Sequence, residues 1–198
     1  MISRVLLLAS CAAFVALSGC VSFDQSNYPA DWSEVVADNS DCSAVNGEYR
    51  AQLSRQTYPH PQGDQLLALT LLPGEQRLNL VQSVSLSLED NDSLVVSGHT
   101  PGGAVLVRQH YRESDGVFDC YDGWLVFRPS KVPGVRRAPD NPVVGLTWSD
   151  VAFRNAVDGS LIMHETGGAI GLAFLLVPVY AETGSWYLFE RVPAPQKQ

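Results

Sequence analysis

Residues 83–96 read SVSLSLEDNDSLVV. Val84, Leu86 and Leu88 alternate with Ser83, Ser85 and Ser87, so every second side chain is apolar and the rest are small and polar. Successive side chains of an extended chain point to opposite faces, so this period of two writes a strand with one face on a core and one in water. Glu89-Asp90-Asn91-Asp92 interrupts it with turn formers, and Leu94-Val95-Val96 brings the chain back. The stretch is a β-hairpin.

The same phrase recurs. Asp122-Gly123-Trp124-Leu125-Val126-Phe127 and Asp158-Gly159-Ser160-Leu161-Ile162-Met163 each follow a strand-like segment with an acidic turn and an apolar run. Asp-Gly ahead of such a run supplies the positive φ angles that tight hairpins need. Leu94, Leu125 and Leu161 lie 31 and 36 residues apart, a spacing near that of a propeller blade or solenoid unit. The unlike loops between the copies fit successive hairpins of a meander better. Val105–Val107, Leu146–Phe153, Ile170–Tyr180 and Trp186–Val192 supply further strands, and Gly47–Ala51 has strand character. Residues 55–63, RQTYPHPQG, read as a loop, and residues 64–72 as a short helix capped by Asp64 and ended by Pro73-Gly74. The expected fold is mainly β: an antiparallel meander forming a sandwich or small barrel, with at most one short helix.

The chain opens differently. Arg4 precedes an apolar core from Val5 to about Leu17, too short for a membrane span, which takes about 20 residues. Such a core between a cationic start and small residues forms a secretory signal. It stops at Leu17-Ser18-Gly19-Cys20, which resembles the lipobox of bacterial lipoproteins. The resemblance implies that the signal, residues 1–19, is cut before Cys20, that the Cys20 thiol takes a diacylglycerol, and that the new amine is acylated. Val21 stands where an inner-membrane retention aspartate would, so the resemblance places the protein on the outer membrane, facing the periplasm. The competing readings are an ordinary signal with an incidental cysteine and a buried N-terminal helix.

Residues 20–33 then form the lipidated cysteine and its tether, meeting the domain near Tyr28-Pro29 and Trp32. Residues 34–192 form one β domain, and residues 193–198 a disordered tail. Without the signal 179 residues remain, enough for a single core, and the net charge moves from −8 to −9. That acidity, with scattered cations, excludes a general attraction for nucleic acid. Cys11 leaves with the signal, so Cys42 and Cys120 remain as a pair in an oxidising compartment and read as one disulfide, against two buried thiols.

The search for chemistry finds little. No Walker loop, GxSxG elbow, HExxH or SxxK occurs. His60, His99, His110 and His164 lack metal-ligand spacing; His99 and His164, beside HTPGG and HETGG, read as exposed turn residues. His164-Glu165 has no marked serine to activate. Residues 89–92 fail as a calcium loop, because Leu94, Val95 and Pro101 stand where a donor, a glycine and a glutamate belong. Trp32, Trp124, Trp148 and Trp186 read as core anchors ahead of a sugar platform. No metal or cofactor is expected.

Two stretches remain as candidate sites. Residues 128–142, RPSKVPGVRRAPDNP, carry Arg128, Lys131, Arg136 and Arg137 among four prolines. They form either a loop that meets lipid phosphates and anionic headgroups or a merely solvated one. Ile170–Val177 is apolar at every position, as one strand covered on both faces or lining a pocket. In the pocket case Gly171 and Ala173 face an apolar ligand, while Leu172, Phe174 and Leu176 fill the core. A filled interior is the preferred reading.

The succession Gly47-x-Tyr49, Cys120-x-Asp122-Gly123 and Trp186-Tyr187-x-Phe189 is similar to small proteobacterial lipoproteins of unknown function, which bring no activity with them. The expected function is a non-enzymatic envelope structural or adaptor module acting on a protein partner. A lipocalin-like carrier of a lipid or other apolar ligand is the alternative, and a hydrolase the third. Cys20→Ser is expected to abolish lipid labelling and cleavage before residue 20. A Cys20→Ser chain that still fractionates as an acylated membrane protein overturns the lipobox reading.

Overall fold

The serine-alternating hairpin forms as read: Ser83–Glu89 is β3 and Ser93–His99 is β4, paired antiparallel from Ser83 with His99 to Glu89 with Ser93. The computed structural model describes residues 27–36, 41–57, 65–89, 92–132, 143–173 and 177–193. Cys20, the cap residue Asp64, and Arg136 and Arg137 lie outside them. β1 (Gly47–Arg50) and β5 (Val105–Arg112) flank the hairpin in a four-stranded sheet ordered β1-β3-β4-β5. β2 (Arg55–Gln56), β6 (Phe118–Tyr121), β7 (Trp124–Phe127), β8 (Val143–Asn155), β9 (Leu161–Ala173) and β10 (Val177–Phe189) form a second sheet, ordered β2-β10-β9-β8-β7-β6. The two antiparallel sheets pack as a sandwich and do not close into a barrel.

Both Asp-Gly signals make their turns. Asp122 and Gly123 have φ of 50° and 73°, the two consecutive positive angles of a tight hairpin, and Gly159 follows Asp158 at 85°. Val84, Leu86, Leu88, Leu94 and Val96 of the first sheet meet Phe118, Phe127, Phe153, Met163 and Phe189 of the second in one core. The one α-helix among the described residues, α1 (Leu66–Leu71), starts at Gln65, which makes no side-chain cap. Leu66, Leu67, Ala68 and Leu71 are buried in that core, and the Tyr111 hydroxyl donates to the Leu71 carbonyl at 2.8 Å. A Cβ at Gly98 would stand 3.0 Å from Leu72 Cδ1, so a glycine lets the chain after the helix lie against β4.

Residues 41–49 clasp the sheets. Cys42 is bonded to Cys120 of β6 in the second sheet. Asn46 accepts from the Leu88 amide at 2.6 Å and donates to the Leu88 carbonyl at 3.2 Å, holding β3 of the first. The buried Tyr49 hydroxyl donates to the Val45 carbonyl at 2.9 Å and lies 3.3 Å from Asn155 Oδ1 of β8.

Two strand expectations are corrected. Ile170–Tyr180 is not one strand: Ala173 pairs with Val177 and Ile170 with Tyr180, so the apolar run folds back as the β9–β10 hairpin. The loop expected at residues 55–63 begins with a strand, since Arg55 and Gln56 pair with Leu188 and Tyr187.

The bond between Cys42 and Cys120 spans 78 residues, and closing that loop in the unfolded chain is worth about 4–5 kcal/mol on the chain-entropy model. Urea unfolding with and without reductant is expected to show a loss of that order. A midpoint that reduction leaves unmoved contradicts the stapling role.

Candidate functional site

The second sheet buries residues on both faces. Phe153, Met163, Tyr187 and Phe189 face the first sheet, while their neighbours Ala152, Ile162, Trp186 and Leu188 belong to a separate outer cluster. That outer cluster is completed by the N-terminal segment. Trp32 is buried in it, and Tyr28 packs edge-on against Trp186 at 5.1 Å and Trp32 at 5.8 Å between ring centroids. The segment continues to Val35, which bridges Ala156, and Val36, whose amide donates to the Asn155 carbonyl at 3.0 Å. The expected tether is therefore docked over its last residues, Tyr28 to Ser33.

His164 belongs to this face. Its ring stacks on Trp186 at 3.8 Å with 6° between planes, and it is 5% exposed in mid-strand, which corrects the exposed-turn reading. His99 is likewise half-buried at the end of β4, 2.9 Å from Ser85 Oγ. Glu165 follows His164 along β9 and so lies on the opposite face. Arg154 lies over the Trp124 ring at 5.5 Å. Trp32, Trp124 and Trp186 are thus buried anchors, and the Trp148 side chain is outside the described set.

Beyond the N-terminal segment the three long strands run on. β8, β9 and β10 have 13 residues each, against 7 or 8 in β3, β4 and β5. Their far halves make an arm whose cross-strand rows are Leu146-Ile170-Tyr180, Val144-Leu172-Pro178 and Val143-Ala173-Val177. Counting by twos from Trp186 and His164, Ile170 and Tyr180 stand on the outer face, and they are 50% and 67% exposed. Gly171 pairs with Gly145 and Val179, and Ala173 with Val143 and Val177. Both candidate ligand-facing residues therefore lie in the arm of an open sheet.

The cationic loop starts at the root of this arm. Arg128 is not free for a headgroup: it pairs with Asp119 at 2.7 Å and Asp150 at 3.8 Å, a correction to its expected role. Lys131 is exposed in the short turn that follows. On the opposite side of the molecule a surface groove of about 340 Å³ is lined by Glu48, Arg50, Gln65, Ser83, Thr100 and Val192. Among the described residues no helix is long and apolar enough to cross a membrane.

No protein-family model, curated protein or solved structure matches this chain.

The docked segment carries a pH dependence. The Tyr28 hydroxyl donates to the Ser33 carbonyl at 2.5 Å. Burial first, then the negative charges of Asp158 and Asp31, push its pKa from 10.0 up to about 12. A raised folded-state pKa gives stability that is fully present below pH 10 and is lost as pH rises towards 12. Tyr28→Phe is expected to reduce the fall of unfolding free energy with pH in that window by up to about one bound proton. Urea titrations across the window check this, and an unchanged slope contradicts it.

Proposed function

We propose that this protein is a non-enzymatic adaptor of the bacterial envelope, lipid-anchored at Cys20 to the outer membrane and facing the periplasm. The reading rests on the lipobox and on one observation from the fold, a filled interior. Tyr49, Phe118, Phe127, Phe153 and Phe189 are each fully buried in the core cluster between the sheets. Interiors packed to this degree leave little room for a guest. A lipocalin-like carrier needs a barrel cavity, whereas the described sheets form an open sandwich with large side chains between them, which favours the adaptor.

A packed module acts through its surface. The outward face of the four-stranded sheet carries Ser85 and Ser87 on β3, Val95 and the buried Ser97 on β4, and Arg108 and His110 on β5. Arg108 Nε donates to Ser97 Oγ at 3.2 Å. Ser87, Arg108 and His110 are exposed, and Val105 beside them is 48% exposed. Of the exposed side chains on this face, Arg108 is of the type enriched at protein interfaces, and it would centre a contact with a protein partner.

A photo-crosslinking residue at His110 in cells of the natural host is expected to give one discrete protein adduct, absent when the same residue replaces Gln76. Native mass spectrometry of the unlipidated domain, purified from its own host, is expected to show the bare mass. An apolar ligand retained in equal stoichiometry overturns the adaptor in favour of the carrier.

A further inference from the structure

Residues 105–112, the whole of β5, read VLVRQHYR and stand at the edge of the four-stranded sheet, paired with β4 alone. The opposite edge, at β1, is closed: the Arg50 amide donates to the Glu190 carbonyl at 2.9 Å and the Val192 amide to the Glu48 carbonyl at 2.8 Å. In an antiparallel ladder alternate residues turn their N–H and C=O away from the neighbour, so β5 presents a row of them outward. Among the described residues no backbone group outside the sheet bonds to that row.

The side chains of this edge are sorted by face. Arg108, His110 and Arg112 stand at every second position on the outward face, and all three are exposed. Neither arginine has an ion pair among the described residues. The acids of the same face, Glu48 and Glu89, stand on β1 and β3, three and two strands away along the rows that end at Arg108 and Arg112. Asp92, Glu113 and Asp115 lie past the last row, Ser93-Arg112. Towards the core the edge is apolar, since Leu106 and Val107 pack against the core cluster and remain half-buried.

We propose that β5 accepts an acidic extended segment of a protein partner as an added strand. Its carboxylates would lie beside Arg108, His110 and Arg112, and its alternate apolar residues would extend the cover of Leu106 and Val107. The inference rests on the adaptor reading above and names the chemistry of the partner.

A second copy of this chain is the competing occupant, and charge rejects it. A two-fold axis sets two β5 strands antiparallel. Centred on His110, that pairing places Arg108 of each copy against Arg112 of the other; centred on either arginine, it places that guanidinium against its own counterpart. Like charges directly opposite destabilise a strand pair, and carboxylates at those positions reverse the sign. Main-chain bonds along the edge then supply affinity, while the basic row selects the strand.

The test uses the full lipidated chain in micelles of a nonionic detergent, with a fluorescein-labelled VEVEVEV peptide as the strand. Anisotropy is expected to show saturable binding that VKVKVKV and the scrambled EEEVVVV lack. Arg108→Glu and Arg112→Glu, both at exposed positions, are each expected to weaken it several-fold. Deuterium uptake is expected to slow within residues 105–112 on binding and to stay unchanged in residues 83–89. N-methylation at one alternate set of peptide residues is expected to abolish binding and at the other set to spare it, because one edge of the peptide faces β5. A peptide that fails to bind overturns the inference. Binding that survives both methylated sets, or that EEEVVVV shares, is attraction of an anion to the basic face and overturns strand addition. Slow exchange at every amide of β5 in the free chain means a covered edge and overturns it as well. In cells, an adduct at His110 that Arg108→Glu leaves undiminished overturns this inference and keeps the adaptor. No adduct at all, with the peptide bound as expected, defeats the adaptor reading alone.

Discussion

The stacking of His164 on Trp186, with Phe153, Met163 and Phe189 packed on the reverse of the same three strands, sets the condition that the rest of the molecule meets. Strands β8, β9 and β10 carry apolar side chains on both faces and need cover on both. The four-stranded sheet and α1 cover the inner face. No second layer of secondary structure covers the outer face among the described residues; Tyr28, Trp32 and Val35 do so, on a segment with little regular structure of its own. Each buried large side chain contributes about 1.5–3 kcal/mol. The segment that precedes the domain is thereby part of its stability, and the chain from Cys20 is attached to the sheet through aromatic packing.

Where the two covers run out, the strands continue, and this is the origin of the arm. Cross-strand pairing continues from row to row between the three strands, so among the described residues the unpaired backbone of the extension lies along the outer edges of β8 and β10. Arg128 stands at the boundary. Its guanidinium joins Asp119 on β6 to Asp150 on β8, closing the edge of the covered sheet just where the long loop leaves. A half-buried pair of this kind is a positioning device more than a source of stability, since desolvation offsets much of its attraction.

Much of this was legible in residues 83–96, because alternation with serine leaves one assignment, and in the Asp-Gly pairs, because few other residues take the positive φ that Asp122 and Gly123 adopt. The disulfide was legible from cysteine number and compartment. The β9–β10 turn was not: residues 172–178 contain no Gly, Asn or Asp, and Pro178, the one turn former, lies past the reversal. Nor was β2, whose two exposed residues carry no pattern and pair only because β10 is there. His164 was misread because HETGG looks like a turn, whereas Gly167 and Gly168 lie in mid-strand opposite Thr183 and Glu182. The Tyr28–Trp186 contact and the Arg128 ion pairs join residues with no local signal, since each depends on strands brought together from distant sequence.

Anchor and domain also differ in what each must supply. One acyl chain holds a protein only marginally, while two or three hold it firmly, so an acylated Cys20 needs no help in staying on the membrane. The six-stranded sheet carries Asp150, Glu165 and Glu182 along β8, β9 and β10, and the serine face belongs to the other sheet of the sandwich. What remains for the domain is the choice of partner. On the serine sheet Arg108 and Arg112 make that choice by charge, at an edge whose backbone bonds would accept any strand alike.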